Sequence, residues 1–93
     1  MKAVTIHSRV RASGRVLFQA LDQEAVLLHL DSGIYFGLDH VGTEIWGLLP
    51  KSESLLQVAY AIAGRYHLPE EQSARDLMCL VEEMMKHRLV NVG

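Results

Sequence analysis

The run Gly33-Ile34-Tyr35-Phe36-Gly37-Leu38-Asp39-His40-Val41-Gly42-Thr43-Glu44-Ile45-Trp46 changes its hydrophobic period partway along. Up to Leu38 it is the aromatic and branched sequence of a strand. From Asp39 onward, Val41, Ile45, Leu48 and Leu49 return at helical spacing, with Trp46 beside them. A strand must therefore turn a tight corner into a helix, with Asp39 as capping residue and Pro50 as the stop. That corner constrains the rest of the chain, because the segments before it read as strands and those after it as helices.

Two segments upstream, Arg15–Ala20 and Glu24–Leu30, are rich in strand formers and are separated by Asp22-Gln23, the polar pair a hairpin needs. A second turn, Asp31-Ser32-Gly33, leads into Ile34–Leu38 and completes an antiparallel meander. Alternation places Val26, Leu28 and Leu30 on one face of the middle strand, and Ile34, Phe36 and Leu38 on one face of the last. These faces are expected to meet the helices, which leaves Leu27, His29 and Tyr35 on the other side, where His29 reads as a surface or groove residue. Downstream, Ser52 or Ser54 caps a second helix whose stripe is Leu55, Val58, Ala59, Ile62 and Ala63, ending at Gly64 or shortly after. Pro69 with Glu70-Glu71 opens a third helix that runs to about His87. Arg88–Val92 reads as a short strand or an extended tail. Trp46 and Tyr60 fall in helical apolar patterns and read as core anchors. The fold class expected is α+β and winged-helix-like: a three-stranded antiparallel sheet followed by three helices, as a single domain over residues 1–93.

Composition narrows the function. A chain of 93 residues supports one core and buries roughly 60 to 65% of its unfolded surface, which leaves little room for an enclosed active site. Its net charge of -2 gives no attraction to nucleic acid or anionic lipid. Neither a signal peptide nor a membrane span is legible. The single cysteine, Cys79, fits a reducing compartment, so a cytoplasmic protein is expected. The five histidines, His7, His29, His40, His67 and His87, show no metal-ligand spacing, and no Gly-rich phosphate loop occurs. No nucleophile, base and orienting partner can be assembled, so neither catalysis nor a cofactor is expected. A winged helix can read DNA with its third helix. Here that segment sets Glu70, Glu71, Asp76, Glu82 and Glu83 against Arg75, Lys86 and Arg88, the wrong sign for phosphate.

The third helix carries two apolar stripes. Leu77, Leu80, Val81 and Met84 form one, and Ala74, Met78, Val81 and Met85 form its neighbour. Core packing needs only one. The other either sits deeper in the core or offers flexible methionines to a peptide's side chains. An outer strand of the meander is moreover an open edge, able to pair with a second chain or with another copy of this one.

The pattern SGIYFGLDHVGTEIWGLL, with the hairpin ending in Gly33 and the corner residues Leu38, Asp39, Gly42, Thr43, Ile45 and Trp46, resembles the PqqD family of leader-peptide recognition domains, the RiPP recognition elements. The likeness extends from about Val10 to Val92 and is closest to stand-alone, lasso-peptide type members. His40 departs from it, since relatives often carry Glu at that corner. The resemblance implies a non-catalytic domain that captures the leader of a ribosomally made precursor as an added strand. It would then present the precursor to a leader protease or, in pyrroloquinoline quinone synthesis, a radical S-adenosylmethionine enzyme. Carried onto this chain, the pairing strand is Ile34, Tyr35, Phe36, Gly37 and Leu38, and the helix surface is Arg75, Met78, Val81, Glu82 and Met85. A winged-helix DNA-binding or homodimeric module is the alternative.

Overall fold

A computed structural model describes residues 3–93. Strands β1 (Val10–Ala12), β2 (Val16–Leu21), β3 (Glu24–His29) and β4 (Tyr35–Leu38) precede helix α1 (His40–Leu48), and a 3-10 turn (Leu49–Lys51) comes next. Helices α2 (Leu55–Tyr66) and α3 (Glu70–Lys86) and strand β5 (Val90–Val92) complete the chain. The main sheet has the order β2-β3-β4 and is antiparallel throughout, which is the meander and three-helix α+β architecture read from the sequence. A second, two-stranded sheet pairs β1 with β5. The sequence offered β5 as one of two readings and gave no sign of β1.

Local chemistry places each boundary. Asp22 takes a left-handed φ of 60° in the two-residue turn between β2 and β3, and Gly33 does the same at 71° before β4. Asp39 caps α1 as expected, its Oδ1 accepting the Gly42 amide at 2.8 Å. Ser54 rather than Ser52 caps α2, and the carbonyls of Ser8 and Ile6 accept the Leu55 and Leu56 amides, so the N-terminal segment satisfies that helix's first donors. Gly64 does not stop α2. The helix continues to Tyr66 and ends at His67 in the left-handed region. At the end of α3, Leu89 N–H bonds Met84 O at 2.9 Å and Arg88 N–H bonds Met85 O at 3.1 Å, a Schellman motif with Arg88 at φ 58°.

The core forms between the sheet's inner face and the helices. It joins Ala25, Leu27 and Leu38 to Ile45, Leu49, Leu55, Val58, Ile62, Leu77, Val81 and Met84, with Val10, Leu89 and Val90 closing it from the small sheet. Each fully buried Leu or Val contributes about 1.5 to 3 kcal/mol. The Ser73 hydroxyl, buried between α2 and α3, donates to Ala59 O at 2.7 Å. The expected face of β3 is inverted. Ala25, Leu27 and His29 point inward, while Val26 and Leu28 point outward and Leu30 is exposed. The register gives the reason: Leu27 lies opposite Phe36 and Ala25 opposite Leu38, so these share a face. Phe36 and Leu38 do face inward as expected, but Ile34 precedes the strand and is 57% exposed. Tyr60, expected in the core, is exposed at mid-helix, whereas Trp46 packs half-buried against the core.

Candidate functional site

Strand β4 is an edge, since it pairs only with β3. His29 N–H donates to Ile34 O at 3.1 Å, which fixes the alternation of the ladder. The opposed pairs Leu27–Phe36 and Ala25–Leu38 then exchange hydrogen bonds, and Tyr35 and Gly37 turn their N–H and C=O groups away from β3. Nothing among the described residues bonds those groups. A Cβ at Gly37 would meet no atom within 4 Å, so the outer face of the strand is open at that position.

A groove of about 710 Å³ lies beside the edge. Ile34, Phe36 and His29 line it from the sheet and Met85 from α3. Lys86, His87, Arg88, Leu89, Val90 and Asn91 continue that wall, and Ser13, Arg15, Asp31 and Ser32 close the end at the β3–β4 turn. The Phe36 and His87 rings stand 5.4 Å apart, centroid to centroid, across it. Arg15 clamps Asp31 at 2.7 Å, tying the start of β2 to the turn. The Arg15 hydrogen bond is the main cause holding the Asp31 carboxyl below the usual carboxylate range.

The site residues expected from sequence divide into groups. Tyr35 is 69% exposed and Gly37 is open, both on the edge. Phe36 and Met85 are half-buried and face the groove with the exposed Ile34. Met78 is half-buried two turns before Met85, about 10 Å along the same side of α3, with Arg75 and Glu82 exposed near it. Val81 is 0% exposed and Leu38 nearly as buried, so their side chains belong to the core. At the groove's polar end the sequence anticipates only His29, as a surface or groove residue; Arg88 and Asn91 have no counterpart among the site residues expected from sequence. The residues of that end come from β3, the end of α3 and the small sheet, which no local pattern joins.

Elsewhere, Glu44 on α1 pairs with Arg65 at 2.9 Å and His40 at 3.1 Å. Burial pushes the Glu44 carboxyl up, but Tyr66, Arg65 and His40 beside it outweigh that and leave it lowered. Tyr66 Oη is buried beside Glu44 without a hydrogen bond of good geometry among the described residues, and burial, with Glu44 next in effect, raises its pKa. Among the described residues no cluster of three or more His, Cys, Asp or Glu side chains is placed to hold a metal ion. No helix there is long and apolar enough to cross a membrane. Cys79 is exposed on α3.

The family model described as Coenzyme PQQ synthesis protein D (PqqD) matches residues 24–90. Among solved structures, the chain is 34% identical to TbiB1, solved in complex with the TbiA(beta) leader peptide. That match covers 87% of this chain and 94% of TbiB1, with a TM-score of 0.81. A lasso peptide synthetase B1, solved with the leader peptide, shares the fold at 23% identity and a TM-score of 0.81, over 89% of this chain and 98% of that one. No curated protein matches the chain.

Proposed function

Because this chain belongs to the PqqD family, we propose that it binds the leader segment of a ribosomally made precursor peptide by strand addition at β4. It presents the remainder of the precursor to a processing enzyme. The observation that carries this is the open edge: the backbone groups of Tyr35 and Gly37 point outward beside a groove between β4 and the end of α3. The 34% identity to TbiB1, whose structure holds a leader peptide, supports the same reading, and the resemblance of SGIYFGLDHVGTEIW to lasso-type family members favours that role over pyrroloquinoline quinone synthesis. The enzyme served would then be a leader protease rather than a radical S-adenosylmethionine enzyme.

The edge supplies backbone hydrogen bonds worth about 0.5 to 1.5 kcal/mol each, and apolar anchors seated on Phe36, Met78 and Met85 add about 1.5 to 3 each before ordering costs. Arg75 and Glu82, exposed on α3 outside the groove's lining, are assigned the selection of polar side chains farther along the peptide. These resources bind and orient a peptide, so the domain acts without catalysis by raising the precursor's local concentration at its enzyme. Isothermal titration against the leader encoded beside its gene, with a scrambled leader as control, tests the proposal. Saturable binding at or below micromolar by the true leader alone is expected, and equal binding of the scrambled peptide overturns it.

The outer face of the sheet favours a second role. Leu17, Leu21 and Tyr35 are exposed there, with Val26 and Leu28 half-buried between them. Such an apolar face suits a second copy of the chain. Size-exclusion chromatography at twice the monomer mass, reversed by Leu17→Glu, would establish that homodimer.

A further inference from the structure

The groove is apolar at Phe36 and Met85 but polar at its β3–β4 end, and His29 is the residue that gives this end a direction. The His29 side chain is 7% exposed, yet it lines the groove. Its Nδ1 accepts the backbone N–H groups of Asp31 at 3.2 Å and Ser32 at 3.4 Å, which assigns the ring hydrogen to Nε2. Nε2 has no protein partner among the described residues, nor is it sealed from solvent. A largely buried imidazole therefore turns its one remaining donor toward the groove, open to a ligand in place of water.

The surroundings decide which acceptor fits. Arg88 lines the same groove and forms no ion pair among the described residues. It occupies the left-handed position after α3, at φ 58°, where glycine is the relaxed choice. Among the described residues Lys86 approaches only the Glu83 carboxylate, at 3.9 Å. Asp31 also lines this end, but Arg15 holds its carboxylate at 2.7 Å and cancels its charge. The local balance is positive around a free N–H donor, a setting that favours a carboxylate over a neutral carbonyl.

Resting on the leader-binding reading above, we infer that this end of the groove is a specificity pocket for an acidic side chain of the bound peptide. The carboxylate accepts hydrogen bonds from His29 Nε2–H and from the Arg88 guanidinium. The pocket sits beside the start of β4, so the acidic residue lies at the end of the added strand nearest Ile34 and fixes its register.

The test uses the whole chain and the TbiA(beta) leader peptide as a fluorescent, C-terminally amidated probe, with each position in turn replaced by Glu or Gln. Glu should bind about tenfold tighter than Gln at one position, the gain expected of a charge-assisted bond. Arg88→Gly relieves the left-handed backbone and so stays folded; it should abolish the preference, whereas Lys51→Ala, which removes the same charge elsewhere, should keep it. Nitrogen NMR of the His29 ring should show a shift at Nε2 with the favoured Glu peptide that the Gln peptide does not produce. Equal binding of Glu and Gln at every position, or a preference that survives Arg88→Gly, overturns the pocket while leaving leader binding intact. A preference seen only with free-acid peptides assigns the site to a chain terminus and also overturns it. If no TbiA(beta) peptide binds, the same Glu and Gln series is run on the leader encoded beside this chain's gene, and failure of that leader to bind overturns the leader-binding reading and the pocket with it.

Discussion

The main sheet has two open edges, and they are not equivalent. At β2 the outward backbone groups belong to Val16, Phe18 and Ala20, since Leu30 N–H bonds Arg15 O and so sets the odd-numbered residues against β3. At β4 they belong to Tyr35 and Gly37. Yet α1 packs on β3 and β4, and the end of α3 stands across the groove from Phe36, while β2 is nearly bare on both faces, with Phe18 46% exposed. Any edge offers hydrogen bonds. Only β4 adds a wall of side chains that can choose among peptides, so selectivity comes from the helix beside the edge.

The largest expected effect falls on the strand both edges share. Leu27→Ala removes a side chain that is 0% exposed and should cost about 3 kcal/mol, lowering Tm by about 12 °C or more in a calorimetric scan. Leu17→Ala, on the exposed face of β2, should cost less than about 1 kcal/mol.

Next comes the edge itself. Gly37→Pro removes an outward N–H that β3 does not use, so the fold survives while leader affinity falls about tenfold. Ala20→Pro makes the matching change at β2 and should leave affinity within about twofold of wild type. Equal losses at both edges would erase the distinction between them.

Met85→Ala trims the groove wall and should weaken leader binding about fivefold by titration, with a smaller change in Tm than Leu27→Ala. Phe18→Ala, within β2, should leave binding unchanged.

The smallest effect concerns pH. Asp31 and Glu44 are both held below the usual carboxylate range. Their contribution to stability is therefore complete above the ordinary carboxylate pKa of about 4 and is lost as pH falls through the lowered folded values. Asp31→Asn should flatten the acid side of a Tm-against-pH curve slightly and leave the neutral side nearly unchanged, because the Arg15 pair is well exposed.

Much of the fold was legible because its signals are local. The Asp39 corner, the Asp22-Gln23 turn, Gly33 and the α3 start at Pro69 all act within a few residues, and the structure places each as its chemistry requires. The face of β3 was not legible, because Ala25, Leu27 and His29 alternate with Val26, Leu28 and Leu30 and both sets contain apolar residues. Only the register against β4 decides between them. Strand β1 was equally hidden, since its partner β5 lies at the far end of the chain. The same holds within the site. The edge residues and methionines were readable from alternation and helical spacing. Of the polar end only His29 was readable, because Asp31, Arg88 and Asn91 join it only after the β3–β4 hairpin and the last turn of α3 have formed.

Amide hydrogen exchange, monitored residue by residue by NMR with and without the leader, tests strand addition at β4 most directly. New protection should appear at Tyr35 and Gly37, with none at Val16, Phe18 or Ala20. Leader binding that protects the β2 amides, or leaves Tyr35 and Gly37 exchanging as in the free protein, would contradict it.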